Sequence, residues 1–162
     1  MRRKDREVTD ADEIAQIIEK CDVCRLAFCD KDVPYIVPMS FGCEMTAGKL
    51  TLYFHCAAQG RKIDIIRNNP NACFEMDISY KIDIGGKPGN CTAEYESIIG
   101  NGVVSIIDSA DRDGKLKALK LLMKKYAGTE DLQLSEKQIG GVTMLKLPVQ
   151  EYSAKRHLKR QD

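Results

Sequence analysis

The chain has no tryptophan and only two histidines, and its charges nearly cancel, leaving +1 over 162 residues. No stretch approaches the roughly 18 continuous apolar residues that a membrane-crossing helix needs, so no membrane span is expected. The opening Met1-Arg2-Arg3-Lys4-Asp5-Arg6 stays polar and lacks the apolar core of a secretory leader, which leads us to expect a cytoplasmic protein. Balanced charge gives no electrostatic reason to expect nucleic acid or a membrane surface as a partner. His55 and His157 stand far apart and form no ligand pair, so no metal centre is expected even though Cys21 and Cys24 have CxxC spacing. There is no GxGxxG fingerprint after a strand, no repeat and no low-complexity linker. Residues 1–162 are therefore expected to form a single domain.

What is abundant is cysteine. Seven are scattered at Cys21, Cys24, Cys29, Cys43, Cys56, Cys73 and Cys91, an odd number without compact ligand spacing. Such thiols behave as small hydrophobes, and Cys21 and Cys24 are expected to be structural, with a strand entering the core near Cys24.

Hydrophobic periodicity orders the rest. Ile14, Ile17, Ile18 and Cys21 recur at helical spacing after a capping Thr9-Asp10. Three strands follow, Cys24 to Cys29, Tyr35 to Met45 and Leu50 to His55, which suggests an antiparallel meander. A helix is expected from about Ala58 to Arg67, ended by Asn68-Asn69-Pro70, and then an alternating strand through Ala72, Phe74, Met76 and Ile78. The glycine-rich stretch 85–90 reads as a turn into a long extended run, Cys91 to Ile107. Gly100 and Gly102 share one face of that run, where a bulge, a bend or a close backbone approach is expected. Leu116, Leu119, Met123 and Tyr126 mark a second amphipathic helix, and Val142 to Leu147 a last strand. The pattern predicts a mainly β protein with peripheral α-helices, closed or partly closed as a barrel.

Two segments carry chemistry. In the run Leu52 to Lys62 a strand ends and a helix begins, with Gly60 before the adjacent cations Arg61 and Lys62. Free N–H groups at a helix start attract phosphate, glycine admits a ligand close to the chain, and the two cations supply a fork and a point charge. Solvated helix-surface residues would read the same way. The second segment is Pro34-Tyr35-Ile36-Val37-Pro38-Met39-Ser40-Phe41-Gly42, where proline removes ladder donors and leaves edge backbone for a planar heterocycle or merely an irregular strand end.

Taken with Cys21 to Ala27 and with Tyr95-Glu96-Ser97-Ile98-Ile99-Gly100-Asn101-Gly102, these segments resemble, in order, the motifs of the pyridoxamine 5'-phosphate oxidase-like split-barrel proteins, nearest the nitroimidazole-resistance branch. The resemblance covers roughly residues 20 to 105. It implies an FMN-binding split β-barrel and a homodimer with flavin in clefts between subunits. Val37, Pro38, Met39 and Ser40 would lie along the isoalloxazine, Phe54 and His55 would approach the ribityl-phosphate, and Arg61 with Lys62 would hold the phosphate. Gly60 stands where the family has serine. Ser97 would contact flavin from the opposite side or from the partner subunit. His55 reads equally as a donor to an anion or as a residue fixing the loop.

The implied activity is a flavin-dependent reductase taking electrons from a nicotinamide or other donor to a nitro-aromatic or similar small acceptor. A flavin-binding redox sensor or carrier without turnover, or a haem- or deazaflavin-binding split barrel, are the alternatives. The C-terminal Ser153 to Arg160 lacks the order and spacing of the oxidases' substrate-phosphate element, and no indole is available beside a flavin. Its basic residues read as a solvated tail.

Overall fold

Along the chain run β1 (Glu7–Val8), α1 (Ala11–Lys20), β2 (Cys24–Asp30), β3 (Val33–Met39), β4 (Phe41–Thr46), β5 (Lys49–Cys56) and α2 (Arg61–Asn68). Then follow β6 (Asn71–Asp83), β7 (Thr92–Val103), β8 (Ser105–Ile106), α3 (Arg112–Ala127), α4 (Glu136–Gly140) and β9 (Thr143–His157). These are the elements of a computed structural model in which residues 2–83, 91–131 and 133–158 are described. The expected turn at 85–90 and Lys159-Arg160 lie outside the described residues.

Period-two alternation decides the inside. Cys24, Leu26 and Phe28 of β2, and Ala72, Phe74 and Met76 of β6, are buried, while the residues between them face outward or are only half-covered. Each large apolar side chain so buried contributes about 1.5–3 kcal/mol relative to exposure. Every ladder is antiparallel, in the order β3-β2-β6-β7-β9-β5-β4. β9 carries the turn of the barrel: its first half pairs β5 and β8, and its second half pairs β7 and β1.

The two ends of that path are β3 and β4, consecutive in sequence and separated only by Ser40. Among the described residues no ladder joins them. The barrel wall is therefore split at Ser40. This corrects the expected single strand from Tyr35 to Met45 and the expected meander: β2–β3 and β4–β5 are hairpins, but β2 pairs onward to β6. Pro38 in the last turn of β3 cannot donate to a further strand, which suits an open edge.

Glycine acts where expected. A Cβ on Gly100 would sit 2.5 Å from the Phe74 ring, and one on Gly102 would overlap the Pro148 carbonyl. The β7–β9 register slips between Asn101 and Gly102, so the barrel bends there. The expected α2 start at Ala58 moves to Arg61 because Gly60 is extended at φ 127°, ψ 166°. On α3 the buried residues are Lys115, Ala118 and Leu122, not the expected apolar stripe. Leu116, Leu119 and Met123 are half-buried, and Tyr126 reaches back to donate to Asp22 O at 2.7 Å and accept from Phe41 N at 3.0 Å. The last strand runs on to His157, past the expected end at Leu147. The reading of the basic C-terminus as a solvated tail is corrected as far as His157: Arg156 bonds Glu96 Oε1 at 2.5 Å and Glu13 Oε1 at 2.9 Å.

Candidate functional site

The start of α2 leaves backbone donors free. The Gly60 carbonyl accepts from Ile63 N at 2.9 Å and Asp64 N at 3.2 Å, and no side chain caps the helix. The N–H groups of Arg61 and Lys62, one turn earlier, have no intrahelical acceptor by construction. Gly60 occupies a region of backbone space essentially closed to other residues, while nothing lies within 4 Å of where its Cβ would be. Conformation, not crowding, therefore favours glycine at this position.

The two cations are held differently. Arg61 meets Asp30 Oδ2 at 3.1 Å and lies over the Tyr35 ring, 4.7 Å from its centroid. Asp30 ends β2 and Tyr35 follows on β3, so the first hairpin presents a carboxylate and an aromatic face to the helix start. Lys62 is half-buried, and its Nζ lies 3.4 Å from Met39 Sδ, a weak acceptor. That contact joins the helix start directly to the split beside Ser40.

The other expected residues are distributed as follows. Val37 is half-buried and Met39 buried, facing the core, whereas Pro38 and Ser40 are exposed at the split. The Phe54 side chain is fully buried between the pairings to Phe41 and Leu145. His55, the next residue, is exposed and pairs with Met144. Ser97 lies on β7, paired with Asp77 and Lys155, three strands from β3 and thus about 14 Å away at normal strand spacing. The structure brings Met39, Gly60, Arg61 and Lys62 together. Within one chain it leaves Ser97 apart.

A profile of the pyridoxamine 5'-phosphate oxidase family matches residues 10–156. The chain belongs to this family. Among solved structures, a candidate 5-nitroimidazole antibiotic resistance protein from Bacteroides thetaiotaomicron is 30% identical, with 92% of this chain and 85% of that one covered at a TM-score of 0.77. The flavocytochrome Anf3 from Azotobacter vinelandii shares the fold at 17% identity and TM-score 0.77, covering 98% of this chain and 72% of that one. So does the FAD- and haem-binding protein from Mycobacterium smegmatis, at 16% identity, TM-score 0.77, and coverage of 97% and 76%. A comparison with curated proteins returns no match.

In this oxidase-family chain, three features of the site escaped sequence reading. Asp30 falls between the expected strands Cys24 to Cys29 and Tyr35 to Met45, Tyr35 within the second of them, and the split at Ser40 inside that same extended run. Prolines 34 and 38 were the available signal for the last. The CxxC pair is fully buried, and burial pushes the Cys21 thiol up to about 11 and raises Cys24 further. Neither is a ready nucleophile. Among the described residues no helix is long and apolar enough to cross a membrane.

Proposed function

We propose that this chain binds FMN and works as a reductase, passing electrons from a nicotinamide or other small donor to a nitro-aromatic or similar small acceptor. The observation that carries the reading is the uncapped α2 start, where Gly60, Arg61 and Lys62 gather beside Met39 at the barrel split. The nitroimidazole-resistance relative, whose sequence is 30% identical, favours the acceptor class. The phosphate belongs at the free N–H groups of α2, with Lys62 and Arg61 neutralising it. The isoalloxazine belongs along Val37–Ser40, where the unpaired edge of β3 offers backbone groups and Pro38 keeps a further strand from pairing. His55, exposed at the end of β5, faces solvent near the same loop and suits contact with the ribityl-phosphate or an anionic substrate group. Bound FMN supplies the hydride and single-electron chemistry, and the protein supplies binding, orientation and charge.

Two features support a homodimer. Ser97 stands too far along the sheet to share the α2 site comfortably, and a second copy would bring it in. The outer sheet face also aligns Ile36, Ala27, Cys73 and Asn101 across four strands, with Ile99 nearby; Ile36 is 62% and Ile99 48% exposed. Apolar surface of this kind calls for a partner. C2 dimers are the commonest closed assembly.

The deciding experiment is denaturation of the purified yellow protein and identification of the released chromophore, followed by anaerobic reduction with NADH or NADPH and addition of a nitroimidazole. FMN released and nitro-group reduction support the proposal. FAD, a haem spectrum, or reduced flavin that passes no electrons to the nitro compound would overturn it; failure of both nicotinamides alone assigns the donor to another class.

A further inference from the structure

A second cation is placed where nothing in the proposed flavin site uses it. Lys115, on the first turns of α3, is only 3% exposed. Its Nζ donates to the Gly140 carbonyl at 3.3 Å, which caps the end of α4, and no carboxylate pairs with it among the described residues. An ammonium has three donors and is costly to bury without a counter-charge. One neutral acceptor is a small return for that burial.

Lys115 and Gly140 line a cavity of 370 Å³, within the size range of small-ligand pockets, whose walls also include Ala58, Asp108, Ser109 and Thr143. Asp108 is exposed at the edge of this cavity, and its Oδ1 accepts from Ala110 N at 2.8 Å. Ser109 and Thr143 bring hydroxyls that can donate. The cavity thus offers one buried positive charge and two hydroxyl groups, with the single carboxylate of Asp108 exposed at its edge.

We propose that this cavity binds a small oxyanion, a carboxylate or a phosphate, with the Lys115 ammonium as its counter-charge. The site is separate from the α2 start, though Ala58 lies on the loop that leads to Gly60. It stands independently of the flavin reading.

The test is calorimetric titration of the full-length protein with inorganic phosphate, acetate and malonate, in wild type, in Lys115→Met and in the double variant Arg61→Ala/Lys62→Ala. Methionine keeps the apolar stem and removes the charge. Saturable binding that weakens at least tenfold in Lys115→Met and persists in the double variant is the expected result. Preference for phosphate or for the carboxylates then identifies the source of the oxyanion. Binding lost in the double variant but kept in Lys115→Met assigns the anion to α2 and overturns the cavity site, as does the absence of saturable binding of all three probes at millimolar concentration. If Lys115→Met does not fold, nitrogen-15 spectra of the lysine side chains in wild type decide: the Lys115 ammonium signal must move on saturation, and a stationary signal refutes the proposal.

Discussion

Two groups of cations on this barrel have opposite fates. Around Glu96, which is 0% exposed, Lys20 bonds Oε2 at 3.1 Å, Arg156 bonds Oε1 at 2.5 Å and the Tyr80 hydroxyl adds a further bond, tying α1, β6, β7 and β9 together. At α2 Arg61 is exposed and Lys62 half-buried, Lys62 finds only a thioether among the described residues, and helix N–H groups beside them lack acceptors. The first group is a finished network and holds the fold. The second is unfinished and has capacity left for a ligand.

The comparison breaks most easily at Glu96. Glu96→Ala removes the buried centre of three hydrogen bonds but leaves partners that solvent reaches, so it should lose about 1–3 kcal/mol and on the order of 5 °C in thermal midpoint. A loss under about 1 kcal/mol would show that the network holds nothing. The same carboxylate sets an acid limit. Burial alone would raise its pKa, but bonds from Tyr80, Arg156 and Lys20 overcome that and hold it below the usual 4.5. A lowered folded pKa means that this stabilisation is complete above the unfolded value and drains away as pH falls below about 4.5 through the folded one. Glu96→Gln should flatten the acid limb of a midpoint-against-pH curve; an unchanged limb would place acid sensitivity elsewhere.

At α2 the expected effect is on ligand, not fold. Lys62→Ala and Arg61→Ala should each weaken FMN at least tenfold, about 1.4 kcal/mol, with apo-protein stability changed by no more than about 0.5 kcal/mol. Lys62 should matter more, because Arg61 already shares its charge with Asp30. Riboflavin, lacking the phosphate, is the control: the preference for FMN over it should shrink in both variants and grow in Asp30→Asn, which frees Arg61. Equal FMN affinity in all three variants would move the phosphate away from α2.

How much of this was legible in sequence follows from the range of the interactions. The α1 helix capped by Asp10 and the alternation of β6 are local patterns and appear where periodicity puts them, while α2 begins at Arg61, three residues later than its pattern suggests. The split at Ser40 is not local. It arises because β2 pairs with β6 and β9 pairs with both β5 and β7, ladders fixed by residues up to about a hundred positions apart. For the same reason Glu96 read as a member of a family motif and Arg156 as part of a solvated tail, since neither shows in sequence that it will meet the other. On α3, Lys115 is buried against the end of α4, where its Nζ meets the Gly140 carbonyl, and no hydrophobic stripe announces that.

The smallest expected effect sharpens the comparison most, because it asks whether the open site is held open by design of the backbone. Gly60 lies at φ 127°, ψ 166°, a conformation essentially reserved for glycine, with free space around its missing side chain. Gly60→Ser would restore the hydroxyl that the family usually carries, and so add an acceptor for a free N–H of α2 or a donor to the phosphate. It would also strain the turn, by roughly 1 kcal/mol after the loss of glycine's freedom in the unfolded chain is credited. The expected outcome is a lower urea midpoint at unchanged slope, with FMN affinity no better than wild type. If the serine variant were as stable as wild type and bound FMN more tightly, the backbone at residue 60 would be free to adopt an ordinary capping conformation. The openness of this site would then reflect a missing hydroxyl, and its contrast with the closed Glu96 network would be one of side-chain chemistry alone.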